Sequence, residues 1–90
     1  MKILIADDER GLTDALSEIL KSHNYSVDVA YDGESGLDAA LTGVYNLIIL
    51  DVMMPKLDGF SVLKILRENK IDSPVLMLTA KSDVSDKIGG

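Results

Sequence analysis

The feature that most constrains this chain is a rhythm of short, unbroken apolar runs, each followed by residues at helical spacing. Ile3-Leu4-Ile5-Ala6, Leu47-Ile48-Ile49-Leu50 and Val75-Leu76-Met77-Leu78 are continuous rather than alternating. Runs this short predict strands covered on both faces of a sheet. Val27 and Val29 alternate with Asp28 and Ala30, which predicts a half-buried edge strand closed by Asp32-Gly33. Leu12, Ala15, Leu16, Ile19 and Leu20 fall at the spacing of an amphipathic helix that Asn24 stops. A shorter helix is predicted from about Glu34 to Leu41, with Gly43 at its C-terminal end. Asp58-Gly59 opens a third, whose inner face is Phe60, Leu63 and Leu66, flanked by Val62 and Ile65 and ended by Asn69. Pro74 precedes the last apolar run, predicted to be buried, and Ser82 is placed to cap a further helix beginning at Asp83.

Strands alternating with helices at this spacing imply right-handed crossovers and a parallel α/β sheet with helices on both faces. Pattern alone does not give the strand order. Ninety residues make one small domain. The net charge of −6, from nine basic and fifteen acidic residues, argues against a nucleic-acid grip, which needs a basic face. Without cysteine there is no disulfide framework and no thiolate metal site. The apolar start, Ile3 to Ala6, is too short for a signal segment or a membrane span, so a cytoplasmic location is expected.

In open parallel sheets, ligands sit beyond the carboxyl ends of the strands. The residues found there are Asp7 and Asp8 after the first run, Asp51 after the third, and Thr79 and Ala80 after the fourth. Taken singly, each has an ordinary reading: Asp8 as a helix cap, Thr79 as a turn residue. Together they crowd carboxylates at one edge. Two unit charges about 4 Å apart repel by roughly 4 kcal/mol at an effective dielectric of ~20. Such a cluster is costly unless a cation fills it or one group is neutralised. Hard oxygen donors with positions left for water suit magnesium, or manganese in its place.

Asp7-Asp8, the run Asp51-Val52-Met53-Met54-Pro55-Lys56-Leu57-Asp58-Gly59, and Thr79-Ala80 resemble the receiver domain of bacterial two-component response regulators, in register from Met1 to about Ile88. The resemblance implies a flavodoxin-like, doubly wound parallel sheet. It implies that Asp51 accepts a phosphoryl group from a sensor histidine kinase, in a domain that catalyses its own phosphorylation and dephosphorylation. It further implies that Asp8 and Asp51 bind Mg2+ directly, that Asp7 acts through a bound water, and that the Met53 backbone carbonyl completes the protein ligands. Thr79 would give its hydroxyl, and the amides near Met53 and Ala80 would contact the other phosphoryl oxygens.

The family's fifth strand with its lysine, and its fifth helix, have no counterpart in residues 1–90; Lys81 and Lys56 do not stand in the matching place. Residues 1–90 are therefore expected to be a receiver domain incomplete at its C-terminus, with four strands of the usual five. An output domain, DNA-binding in the transcription factors whose loops these most resemble, lies outside them. Self-association through the fourth strand or the first helix is the expected consequence. Three rival readings stand beside this one. A phosphatase of the haloacid dehalogenase type would carry a second Asp where Met53 stands, and a flavin or nucleotide module would need a Gly-rich phosphate loop. A pseudo-receiver would serve protein contacts alone. His23 reads as a surface residue.

Overall fold

The structure, a computed structural model, describes residues 1–78. Strand β1 (Lys2–Ala6) leads to helix α1 (Arg10–Ser22), β2 (Ser26–Ala30), α2 (Gly33–Ala40), β3 (Leu47–Asp51), α3 (Gly59–Glu68) and β4 (Val75–Leu78). The four strands form one parallel sheet in the order β2-β1-β3-β4, the flavodoxin-like arrangement. Val27 and Val29 are half-buried on the edge strand, as their alternation predicts. The helix in front of them stops where expected, because Asn24 takes the left-handed φ of 70° that ends helices. Gly43 does the same after α2 at φ 75°, and Asn69 caps the C-terminus of α3. The helix predicted at Ser82 and Asp83 lies outside the described residues.

The core has two layers, one on each sheet face. Leu4, Ala6, Ile48 and Leu50 point to the side that α2 and α3 cover, where they meet Ala40, Met54, Val62 and Leu66. Ile3, Ile5 and Ile49 point to the other side, against Leu16 and Leu20 of α1. No helix among the described residues is long and apolar enough to cross a membrane.

Three expectations about inner faces need correction. In α1 the buried residues are Thr13 and Ser17, with Leu16 and Leu20 beside them, whereas Leu12, Ala15 and Ile19 are exposed. Thr13, Leu16, Ser17 and Leu20 also sit at i, i+3, i+4 and i+7. The Thr13 hydroxyl bonds back to the backbone and so can enter the core, and the buried stripe is rotated from the most apolar one. In α3 the buried stripe is Gly59, Val62 and Leu66, and Phe60 is 60% exposed. Gly59 sits so close to the end of β3 that it sets the helix rotation, and its neighbour, about 100° further round, faces out. In β4, Leu76 is 52% exposed, and α1 packs mainly over β1 and β2.

Candidate functional site

The sheet register brings the acidic residues together. Ala6 of β1 pairs with Leu50 of β3, so the next residues, Asp7 and Asp51, reach the carboxyl edge side by side. Asp7, Asp8 and Asp51 each offer a carboxylate oxygen within 4.8 Å of the others. Asp7 is buried, Asp51 half-buried and Asp8 exposed. The two ion pairs among the described residues, Lys2–Asp28 and Lys56–Asp32, lie elsewhere, so neither neutralises the cluster. Burial pushes the Asp51 carboxyl above the usual carboxylate range, and the neighbouring Asp7 carboxylate adds to the shift. The Met53 backbone N–H works against it, donating a long hydrogen bond of 3.4 Å to Asp51 Oδ1; the Asp8 charge raises it further.

Each acid is held differently. The Asp7 backbone N–H donates to the Ala30 carbonyl at 3.1 Å, and Asp7 Oδ1 accepts from the Glu9 N–H at 2.9 Å. One oxygen of the most buried carboxylate is thus spent on its own turn. The cap reading for Asp8 is not seen: Glu9 holds the N-cap position of α1 and makes no side-chain cap bond. Behind Asp51, the Val52 N–H donates to the Leu78 carbonyl and the Gly59 N–H to the Val52 carbonyl, tying the loop to β4 and α3. Asp58 caps α3 by accepting from the Ser61 N–H at 2.8 Å, which lowers its pKa. Lys56, at φ 72°, pairs with Asp32 at 3.7 Å, and the Gly33 N–H donates to the Pro55 carbonyl, so this loop also rests on the start of α2.

The two adjacent methionines divide the work. Met54 fills the core beneath the loop, while Met53 is 70% exposed, two residues from Asp51. Thr79 and Ala80 lie outside the described residues; Leu78, just before them, pairs with Asp51 across the ladder. Among the described residues, sequence patterning missed Thr13, which lies beside the acidic pair. It is fully buried, and its hydroxyl lies 3.1 Å from the Asp7 carbonyl oxygen. The signal was the second helical stripe it shares with Ser17.

A match to the response regulator receiver domain runs over residues 3–90, nearly the whole chain. The chain belongs to the response regulator receiver domain family. This receiver domain is similar to the transcriptional regulatory protein DltR of Streptococcus agalactiae, at 46% identity over 90 residues. That match covers 100% of this chain and 40% of DltR, so the chain spans about two fifths of this relative's length. Among solved structures, the receiver domain of a Francisella response regulator superposes with a TM-score of 0.85 at 38% identity, covering 98% of this chain and 73% of that one. The Thermotoga maritima response regulator TrrA, solved in complex with magnesium and BeF, gives 0.82 at 36% identity, covering 97% and 76%. The family places the receiver domain in two-component signalling.

Proposed function

We propose that this receiver domain accepts a phosphoryl group on Asp51 from a sensor histidine kinase, in a Mg2+-dependent reaction, and so switches an output domain. The observation that carries the reading is the position of Asp51: at the carboxyl end of a central strand, with Asp7 and Asp8 within 4.8 Å and no cation beside them among the described residues. The donor set of hard oxygens fits magnesium, or manganese. Asp8 and Asp51 would hold the ion directly, Asp7 through a water, and the Met53 carbonyl would complete the protein ligands. Bound there, the ion supplies neutralisation of the phosphoryl oxygens' charge.

The chain's own groups account for the rest of the chemistry. An Asp51 carboxylate oxygen attacks phosphorus; the P–N bond of the donor phosphohistidine breaks as the P–O bond forms, and the departing imidazole nitrogen keeps the electron pair and takes a proton from solvent. In a loose transition state the protein's task is in-line positioning. The anchored loop from Val52 to Gly59 supplies it by fixing the Asp51 backbone. Thr79 would donate its hydroxyl and Ala80 its amide to the transferred group, and the domain would catalyse its own loss of phosphate by admitting water. The cytoplasm is the compartment proposed, and a DNA-binding domain the output, by analogy with the transcriptional role in DltR's name. The haloacid dehalogenase reading is disfavoured because Met53 stands where its second Asp would be. We also propose that the chain self-associates, since Leu12, Ile19 and Leu76 are each at least 40% exposed.

Acetyl phosphate with Mg2+ tests the central claim. One phosphoryl group should add to the mass of the parent chain, mapped to Asp51, and none to Asp51→Asn. A parent chain that gains no mass would make this a pseudo-receiver that works by contact alone.

A further inference from the structure

We infer that Thr13 is a positioning residue for the acidic site: its buried hydroxyl holds the Asp7–Glu9 turn in the shape that presents Asp7 and Asp8 to a divalent cation. The inference rests on the metal reading of that site. A threonine inside a helix commonly bonds back to the carbonyl four residues earlier, and Thr13 does so, with its hydroxyl 2.9 Å from the Glu9 oxygen. That bond alone would be ordinary helix chemistry. The second contact is not, because the same hydroxyl lies 3.1 Å from the carbonyl oxygen of Asp7, six residues back and outside the helix.

Three further observations give this contact its weight. Asp7 and Thr13 are both buried, at 4% and 0% exposure, so water does not stand in for the hydroxyl. The Asp7 side chain is itself closed onto the turn through the Glu9 N–H, so backbone and carboxylate move as one unit. And Glu9 contributes no side-chain cap to α1, so the hydroxyl reaching back from the first turns of the helix joins it to the end of β1. Threonine suits the place because its branched Cβ stiffens χ1. Valine would keep the shape and leave the Asp7 carbonyl without this partner.

Mn2+ titration of the purified chain, followed by the EPR signal of the free ion, reads the effect. Partners that orient metal ligands typically contribute ~10–100-fold in affinity, and Thr13 acts through the backbone, so Thr13→Val should weaken Mn2+ binding about tenfold. Thr13→Ser, which keeps the hydroxyl, should stay within about twofold of the parent. Amide hydrogen exchange should quicken at Asp8 and Glu9 in Thr13→Val while the far end of α1, Leu20 to Ser22, stays as in the parent. Thr13→Ala carries the same expectations if the valine chain fails to fold. Parent-like Mn2+ binding with unchanged exchange at Glu9 would overturn the inference, as would equal losses in the valine and serine chains. A parent chain that binds no Mn2+ overturns the metal reading instead, and the exchange comparison still decides whether Thr13 holds the turn.

Discussion

The backbone of Gly59, at the start of α3, lies against the carbonyl oxygen of Asp51, so that a β-carbon there would overlap this oxygen and come within 2.8 Å of the Met77 sulfur. The third helix therefore touches the backbone of Asp51, and the space for that contact exists only because residue 59 has no side chain.

Gly59→Ala should consequently destabilise the chain. Helix propensity alone favours alanine by roughly 0.5–1 kcal/mol, but forcing an atom against fixed backbone costs about 1–3 kcal/mol, so the clash wins. Gly11, in α1, has nothing within 4 Å of a built β-carbon, and Gly11→Ala should stabilise by up to about 0.5 kcal/mol. Urea midpoints for the pair should move in opposite directions; a shared direction would show that the surroundings of the two glycines do not set the sign.

Metal binding should depend more on Asp8 than on Asp7. One Asp7 oxygen is engaged by the Glu9 N–H, whereas Asp8 is exposed and caps nothing. Calorimetric titration with Mg2+ should show a larger loss of affinity in Asp8→Ala than in Asp7→Ala. Undiminished binding in Asp8→Ala would remove that residue from the ligand set.

The raised pKa of Asp51 ties stability to pH in one direction. An acid whose folded-state pKa lies above its unfolded value binds protons more tightly when folded, so its ionisation opposes folding. The penalty is absent below the unfolded value of 3.8 and complete above the raised one. Asp51→Asn removes it. In EDTA at pH 7 the asparagine chain should be the more stable, by under about 1 kcal/mol because solvent screens a half-buried group. The gap should narrow as the pH approaches 4, and a parent chain that is the more stable at pH 7 would show that ionised Asp51 carries no such penalty.

Met53 should slow the loss of phosphate. Its exposed apolar side chain stands two residues from Asp51 and offers attacking water no hydrogen bond. After labelling with acetyl phosphate, Met53→Asn should lose its phosphoryl group several-fold faster than the parent by mass spectrometry, and slower loss would show that Met53 does not guard the path.

Self-association should respond to Leu76, which is 52% exposed on β4. Sedimentation of the parent chain should show a mean mass that rises with concentration, and Leu76→Lys should flatten that dependence. A parent chain that stays monomeric throughout would rule the association out.

The sequence by itself determined the element order and the meeting of three carboxylates at one sheet edge. Unbroken apolar runs this short favour strands of a parallel sheet, of which the first and third runs are covered on both faces, and parallel strands deliver the residues at their carboxyl ends to one edge. Asp7, Asp8 and Asp51 could therefore be named together before any fold was seen. Helix ends were legible at Asn24, Gly43 and Asn69, because the left-handed or capping backbone there is a local requirement. The inner faces were not. Periodicity gives the width of an apolar stripe but not its angle to the sheet. That angle was decided in three dimensions by Gly59 meeting the Asp51 carbonyl, which turned Phe60 outward, and by Thr13 bonding to Asp7 and Glu9, which turned Leu12 and Ile19 outward. Both helices are set by contacts to residues outside themselves, and only packing decides which of two equally periodic stripes is buried.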